Sequence, residues 1–188
     1  MLWPRLARSL LSRPIAEPVA APPDSTVAAL VARLEAAAGA RLGRSLSIRH
    51  IDAGSCNGCE LEVHATSNLL HDLERFGLRF VASPRHADVL LVTGPTTRNM
   101  AQALAIAHAA TPDPKWVVAA GDCALDGGVF KGSPAVAGGT DAVVPVDLLI
   151  PGCPPSPMAL IEGLLALLAA NAPEQAQKKG PAGHADEP

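Results

Sequence analysis

Cys56, Cys59, Cys123 and Cys153 are the only cysteines in 188 residues, and their spacing points to metal chemistry. A C-x2-C pair in IDAGSCNGCE is followed by Cys123 in AAGDCALDGG and by Cys153 in LLIPGCPPSP. Four thiolates can hold zinc tetrahedrally or a cubic iron–sulfur cluster with one Cys per iron; redox or structural thiols are the third reading. Zinc ribbons generally use two C-x-x-C pairs, and here there is one. The loops suit a cluster. Gly54, Gly58, Gly121, Gly127, Gly128 and Gly152 permit close backbone approach, so that amide N–H groups can point at sulfur. Pro154 after Cys153 matches the Cys-Pro ending of ferredoxin runs. A small secreted disulfide scaffold is excluded in practice, because four Cys are too few for a chain this long.

The elements that must position these thiols follow from periodicity. Leu46–Asp52 alternates and reads as a strand, and Cys59–Leu73 as a helix. Leu78–Ala82 and Asp88–Thr93 are β-rich runs, Thr97–Ala110 is helical, and Lys115–Ala120 and Val143–Ile150 are further strands. Pro155–Ala170 is an amphipathic helix begun by prolines. Strands separated by helices or long crossovers predict an α/β fold with a doubly wound, mainly parallel sheet in a single domain, residues 46–170. Cys56, Cys123 and Cys153 each follow a predicted strand. The crevice beyond the carboxyl ends of such strands is where open parallel sheets bind ligands. Three separated segments thus deliver four thiols to one sheet edge.

The flanks read differently. Residues 1–45 hold a basic amphipathic arm (MLWPRLARSLLSRP), a Pro-rich linker from Pro14 to Pro23, and a helix from Asp24 to about Ala38. In residues 1–13 the leucines share one face, with Arg5 and Arg8 opposite. Such a segment can rest at a membrane interface, although it is too short to span one. Residues 171–188 carry almost no apolar side chains and are expected to be disordered. With 15 Lys+Arg against 18 Asp+Glu, five aromatic residues and no Tyr, the chain does not read as a nucleic-acid binder.

In order, S-C-N-G-C-E-L-E-V, H-A-D-V-L-L-V-T-G-P-T-T-R-N-M, G-D-C-A-L-D-G-G-V-F and V-P-V-D-L-L-I-P-G-C-P-P-S-P form a specific series. Over about residues 46–168 the chain resembles one family. It unites the small subunit of membrane-bound group 4 [NiFe] hydrogenases, formate hydrogenlyase type included, with the 20 kDa B-type component of NADH:quinone oxidoreductase (complex I). The resemblance implies a flavodoxin-like sheet and one [4Fe–4S] cluster on Cys56, Cys59, Cys123 and Cys153. It implies a role in passing electrons to or from a large catalytic subunit. Further iron–sulfur and membrane subunits would complete a complex on the cytoplasmic side of the inner membrane. The complex I members typically place two Cys side by side, whereas Cys56-Asn57-Gly58-Cys59 is the hydrogenase spacing. Ser133–Gly138 lacks the aromatic and basic residues usual in complex I relatives, which weighs against direct quinone binding. The alternatives are a quinone-linked subunit of the complex I type, and a zinc- or cluster-bearing structural subunit.

Other polar residues are read more plainly. Glu60 and Glu62 stand where a carboxylate favours a helix N-terminus; beside a ligand, Glu60 is also a candidate proton relay. Arg98 reads as a solvated surface residue, and Asp122 and Asp126 as turn caps. His50, His64, His71, His86 and His108 lack ligand-like spacing, and none is assigned to metal. No Ser-His-Asp set, P-loop or G-x-G-x-x-G is present, so the chain has no evident catalytic centre of its own.

Overall fold

The runs VLLVT and WVVAA are rich in β-branched and apolar residues, SIRHID places its isoleucines among polar residues, and each is followed by Gly or Ala-Gly punctuation that ends a strand. In the computed structural model they form β1 (Ser47–Asp52), β3 (Val89–Thr93) and β5 (Trp116–Ala120). The short β2 (Arg79–Phe80) and β7 (Leu148–Ile150) flank them in a parallel sheet of order β2-β1-β3-β5-β7. Leaving out β4 (Thr96–Thr97) and β6 (Val136–Gly138), which pair antiparallel beside the sheet, this is the doubly wound order 2-1-3-4-5. The structure describes residues 45–76 and 78–170, together with Ala29, Ala32, Arg33 and Ala36, which are helical and exposed. The arm of residues 1–13, its linker, the rest of the helix expected over 24–38 and the tail of residues 171–188 lie outside the described residues.

Both faces of the sheet are covered, which is why β3 and β5 are buried at every position instead of alternating. Val89 and Leu91 face α1 (Gly58–Ala65) and α4 (Pro157–Ala170), meeting Val63, Leu160, Ile161, Leu164 and Leu168. Leu90 and Val92 point the other way, toward Leu104 of α2 (Arg98–Ala110). Gly163 lets α4 approach β7: a Cβ there would lie 2.5 Å from Ile150 Cδ1.

Two expected elements are shorter in the structure. The helix from Cys59 ends at Ala65 and not at Leu73. Thr66 Oγ1 donates to the Val63 carbonyl, and the Asn68 side chain accepts the amides of Leu70 and His71. These side chains replace helical partners with a turn. The strand expected over Val143–Ile150 is confined to its last three residues, because Pro145 lacks an amide donor for the ladder. Asp147 marks the change, accepting the Val117 amide through its side chain at 2.7 Å. The five-residue α3 (Asp122–Asp126) and the β4–β6 pair were not visible from periodicity.

Candidate metal centre

Four strand ends converge where the strand order reverses. β1 and β3 are neighbours in the sheet yet their following chains diverge to opposite faces, which opens a crevice at their carboxyl ends. Asp52, the last residue of β1, accepts the amides of Gly54 and Ser55 at 2.8 and 2.7 Å and turns the chain into the first cysteine loop. Ser55 Oγ then accepts the Asn57 amide, and α1 starts at Gly58. Asn57 itself sits at φ 73°, a conformation its short polar side chain tolerates.

The second and third cysteine loops are tied to each other. Asp122 donates its amide to the Gly152 carbonyl at 2.9 Å, and its carboxylate accepts the Gly152 amide at 2.7 Å. This reciprocal pair joins the turn after β5 to the turn after β7. Asp126 likewise shapes the end of α3, accepting the Gly128 amide at 3.0 Å and Lys131 Nζ at 2.7 Å; the Lys131 bond, then the Gly128 amide, hold its carboxyl below the usual range. The turn-capping role expected of both aspartates is seen for Asp126, whereas Asp122 ties one turn to another.

The result is a cavity of about 100 Å³ lined by all four cysteines together with Ser55, Gly58, Gly94, Asp122, Gly152 and Pro154. Cys59 and Cys123 each occupy the second residue of a short helix; the first was expected from the helix read from Cys59 onward, the second was not. None is in a disulfide; Cys56 and Cys153 are exposed and the other two half-buried. Burial, then Glu60 and the other three sulfurs, push the Cys59 thiol up to about 11. Burial also raises Cys123, against an opposing hydrogen bond from the Val129 backbone. Four thiols this near one another resist common ionisation unless a cation compensates them, and a coordinated thiol is deprotonated outright.

The donor set and the surrounding backbone fit a metal–sulfur group. A Cβ on Gly121 would lie 2.7 Å from Cys59 Sγ, and one on Gly128 2.8 Å from Cys123 Sγ, so glycine alone leaves that space to sulfur. Among the described residues no three His, Cys, Asp or Glu side chains draw together closely enough to hold a single ion. The four sulfurs instead border a shared cavity.

Glu60 lies in the first turn of α1, as expected of a carboxylate at a helix N-terminus, but it is not turned to solvent. It is buried, and it accepts hydrogen bonds from Ser55 Oγ and Thr93 Oγ1. His50 Nε2 lies 2.9 Å from Thr93 Oγ1 and 3.7 Å from Glu60 Oε1. Desolvation lowers the His50 pKa despite the pull of Glu60 and Asp52; because Thr93 gives its own hydroxyl proton to Glu60, its oxygen is left to accept from the ring. Sequence patterns give little sign of this set; its one signal is the polar Thr93 that ends the otherwise apolar β3. Glu62 is half-buried on α1, and Arg98 is exposed at the start of α2, away from the cavity lining. A separate cavity of about 340 Å³ lies against β1, β2 and α1, lined by Arg49, His50, His64, Glu74 and Phe80 among others.

Comparison with known proteins agrees with this architecture. A probable membrane-bound hydrogenase subunit of Pyrococcus furiosus is 46% identical over 127 residues, 68% of this chain and 76% of that protein. Formate hydrogenlyase subunit 7 of Escherichia coli is 45% identical over 147 residues; the match covers 78% of this chain but only 58% of that longer relative. The B component of the NADH-quinone oxidoreductase of Citrifermentans bemidjiense is 49% identical over 109 residues, 58% of this chain and 64% of that one. Among solved structures, a chain of the membrane-bound sulfane sulfur reductase, an archaeal respiratory membrane complex, superposes with a TM-score of 0.62. It is 32% identical, and the match covers 77% of this chain and 78% of that one. These relatives are subunits of oxidoreductase complexes. The family described as NADH ubiquinone oxidoreductase, 20 Kd subunit, matches residues 56–167, a stretch that opens on Cys56 and includes all four cysteines. The chain belongs to that family.

Proposed function

We propose that this chain is an electron-transfer subunit that holds one [4Fe–4S] cluster on Cys56, Cys59, Cys123 and Cys153. On this reading it exchanges electrons with the large catalytic subunit of a membrane-associated [NiFe] hydrogenase-type complex. The observation that carries the reading is the single cavity bordered by all four thiols at the sheet's switch point. A cluster takes one Cys per iron and so suits thiols spread around a cavity, whereas tetrahedral zinc draws its four sulfurs to about 2.3 Å from one point. When bound, the cluster supplies one-electron chemistry. The chain's own part is to fix four sulfurs on three loops, clasp those loops through Asp52, Glu60 and Asp122, and limit solvent at the site. The C-x2-C spacing, which the resemblance assigns to the hydrogenase members, favours that branch. A quinone-linked partner is the second reading, supported by the similarity to the NADH-quinone oxidoreductase relative.

The partner belongs at the cysteine edge. Leu125, Val129 and Phe130 are exposed beside Cys123, with Val129 80% accessible, an apolar surface that a covering partner would remove from water. Chain purified anaerobically with its large subunit should contain about four irons and four acid-labile sulfides, one Cys per iron. One zinc and no sulfide would refute the cluster.

Membrane attachment is proposed to be peripheral, on the cytoplasmic side of the inner membrane. Among the described residues no helix is long and apolar enough to cross a membrane. Residues 1–13 are proposed to add contact through their leucines, Arg5 and Arg8. Deleting them should release the complex from membranes at lower salt with iron content unchanged; unaltered membrane retention would dismiss the arm.

A further inference from the structure

Glu60 is, among the described residues, the one buried carboxylate whose backbone is joined directly to a proposed cluster ligand. Its side chain returns across the hexapeptide Ser55-Cys56-Asn57-Gly58-Cys59-Glu60 to receive the Ser55 hydroxyl, so that one hydrogen bond closes the C-x2-C loop on itself. The other oxygen receives Thr93 Oγ1 from the end of β3, and Thr93 in turn takes the Nε2–H of His50 on β1. Two hydroxyl donors satisfy the carboxylate, one on each oxygen, and neither cancels its charge. A carboxylate kept only to cap α1 would stand in water. This one is 6% exposed and fully engaged with groups on three segments.

We propose that Glu60 is a positioning residue that clasps the Cys56–Cys59 loop and places a fixed negative charge beside the cluster, lowering its reduction potential. The inference rests on the four-cysteine cluster proposed above. Reduction adds an electron to a site that already carries four thiolates, and net charge and burial are among the main settings of cluster potential. Burial matters because a charge in a low-dielectric setting acts over a longer range than the same charge in water. The clasp and the charge are separable. Glu60→Gln keeps the shape and one hydroxyl acceptor but removes the charge, whereas Glu60→Asp keeps the charge on a shorter arm.

The test is an electron paramagnetic resonance redox titration of the full-length chain, isolated anaerobically in its complex, with iron and sulfide measured on each sample. Glu60→Gln is expected to retain its cluster and to be reduced more easily, by roughly tenfold in the equilibrium or about 59 mV for one electron. Glu60→Asp is expected to bring the midpoint back toward wild type. A Glu60→Gln shift below about threefold, or in the opposite direction, overturns the proposal. Should Glu60→Gln fail to retain iron, Thr93→Val decides instead. It removes one hydroxyl donor and leaves the charge, so its midpoint must stay level or fall, and a rise overturns the proposal. Absence of a cluster from the wild-type chain would refute the proposed function itself, a result distinct from a wild-type cluster that ignores Glu60.

Discussion

Alanine in place of any one of Cys56, Cys59, Cys123 or Cys153 is expected to reduce iron from about four to below one per chain, because each thiol holds one corner of the cluster. The two exposed thiols give the cleanest result. Cys56 and Cys153 bury little surface, so packing alone predicts a stability change within about 0.5 kcal/mol and no effect on any cofactor. Loss of iron, with a fall in stability well beyond that figure, would therefore report ligation and not packing. Substitute ligands are already engaged. Asp122 borders the cavity, but its carboxylate holds the Gly152 amide; Glu60 is held by Ser55 and Thr93. The loops also share anchors, so the loss should spread: without metal, the Cys123 and Cys153 turns are joined only by the Asp122–Gly152 pair and the Gly121–Ile150 backbone bond. Iron and sulfide analysis beside thermal unfolding of the four variants measures this. Full iron in any one variant would remove that cysteine from the ligand set.

Much of this site was legible from residue types and their order. Three runs of β-formers, each ended by Gly or Pro with a cysteine just beyond, point to thiols at strand carboxyl ends without further information. The observed strand order agrees with the flavodoxin-like sheet that the resemblance implies, and it opens the crevice between β1 and β3. What periodicity could not show depended on single side chains that overrode it. Asn68 and Thr66 halt a helix whose apolar pattern continues, and Pro145 with Asp147 removes most of a strand whose composition is suitable. Glu60 is the instructive case. In sequence, a Glu in the first turn of a helix reads as a response to the helix dipole. Only the approach of Thr93 and His50, 33 and 10 residues away in the chain, turns it into a buried clasp. Tertiary contacts of this kind leave no periodic trace.

Gly121→Ala should damage the centre without removing a ligand, and the reasons are local. Gly121 caps α3 with φ 95° and ψ 154°, a region essentially closed to residues with a Cβ, at a cost of about 1–3 kcal/mol. The added methyl would also meet Cys59 Sγ at 2.7 Å, the Gly152 carbonyl at 3.4 Å and Pro155 Cδ at 3.7 Å. It therefore presses on the cysteine of α1 and on the turn that carries Cys153, and overpacking of this kind adds about 1–3 kcal/mol. The backbone has little freedom to yield. The Gly121 amide is bonded to the Ile150 carbonyl at 2.8 Å, and its own carbonyl accepts the amides of Ala124 and Leu125. Combined, the loss should be about 2–6 kcal/mol, with iron content well below wild type. Gly132→Ala separates strain from contact. Gly132 has φ 83°, yet nothing lies within 4 Å of the position its Cβ would take. That variant should be destabilised by about 1–3 kcal/mol through backbone strain while retaining its full iron. Equal iron loss in the two variants would mean that general destabilisation empties the site, and the close fit of Gly121 against Cys59 would then have no special part in holding it.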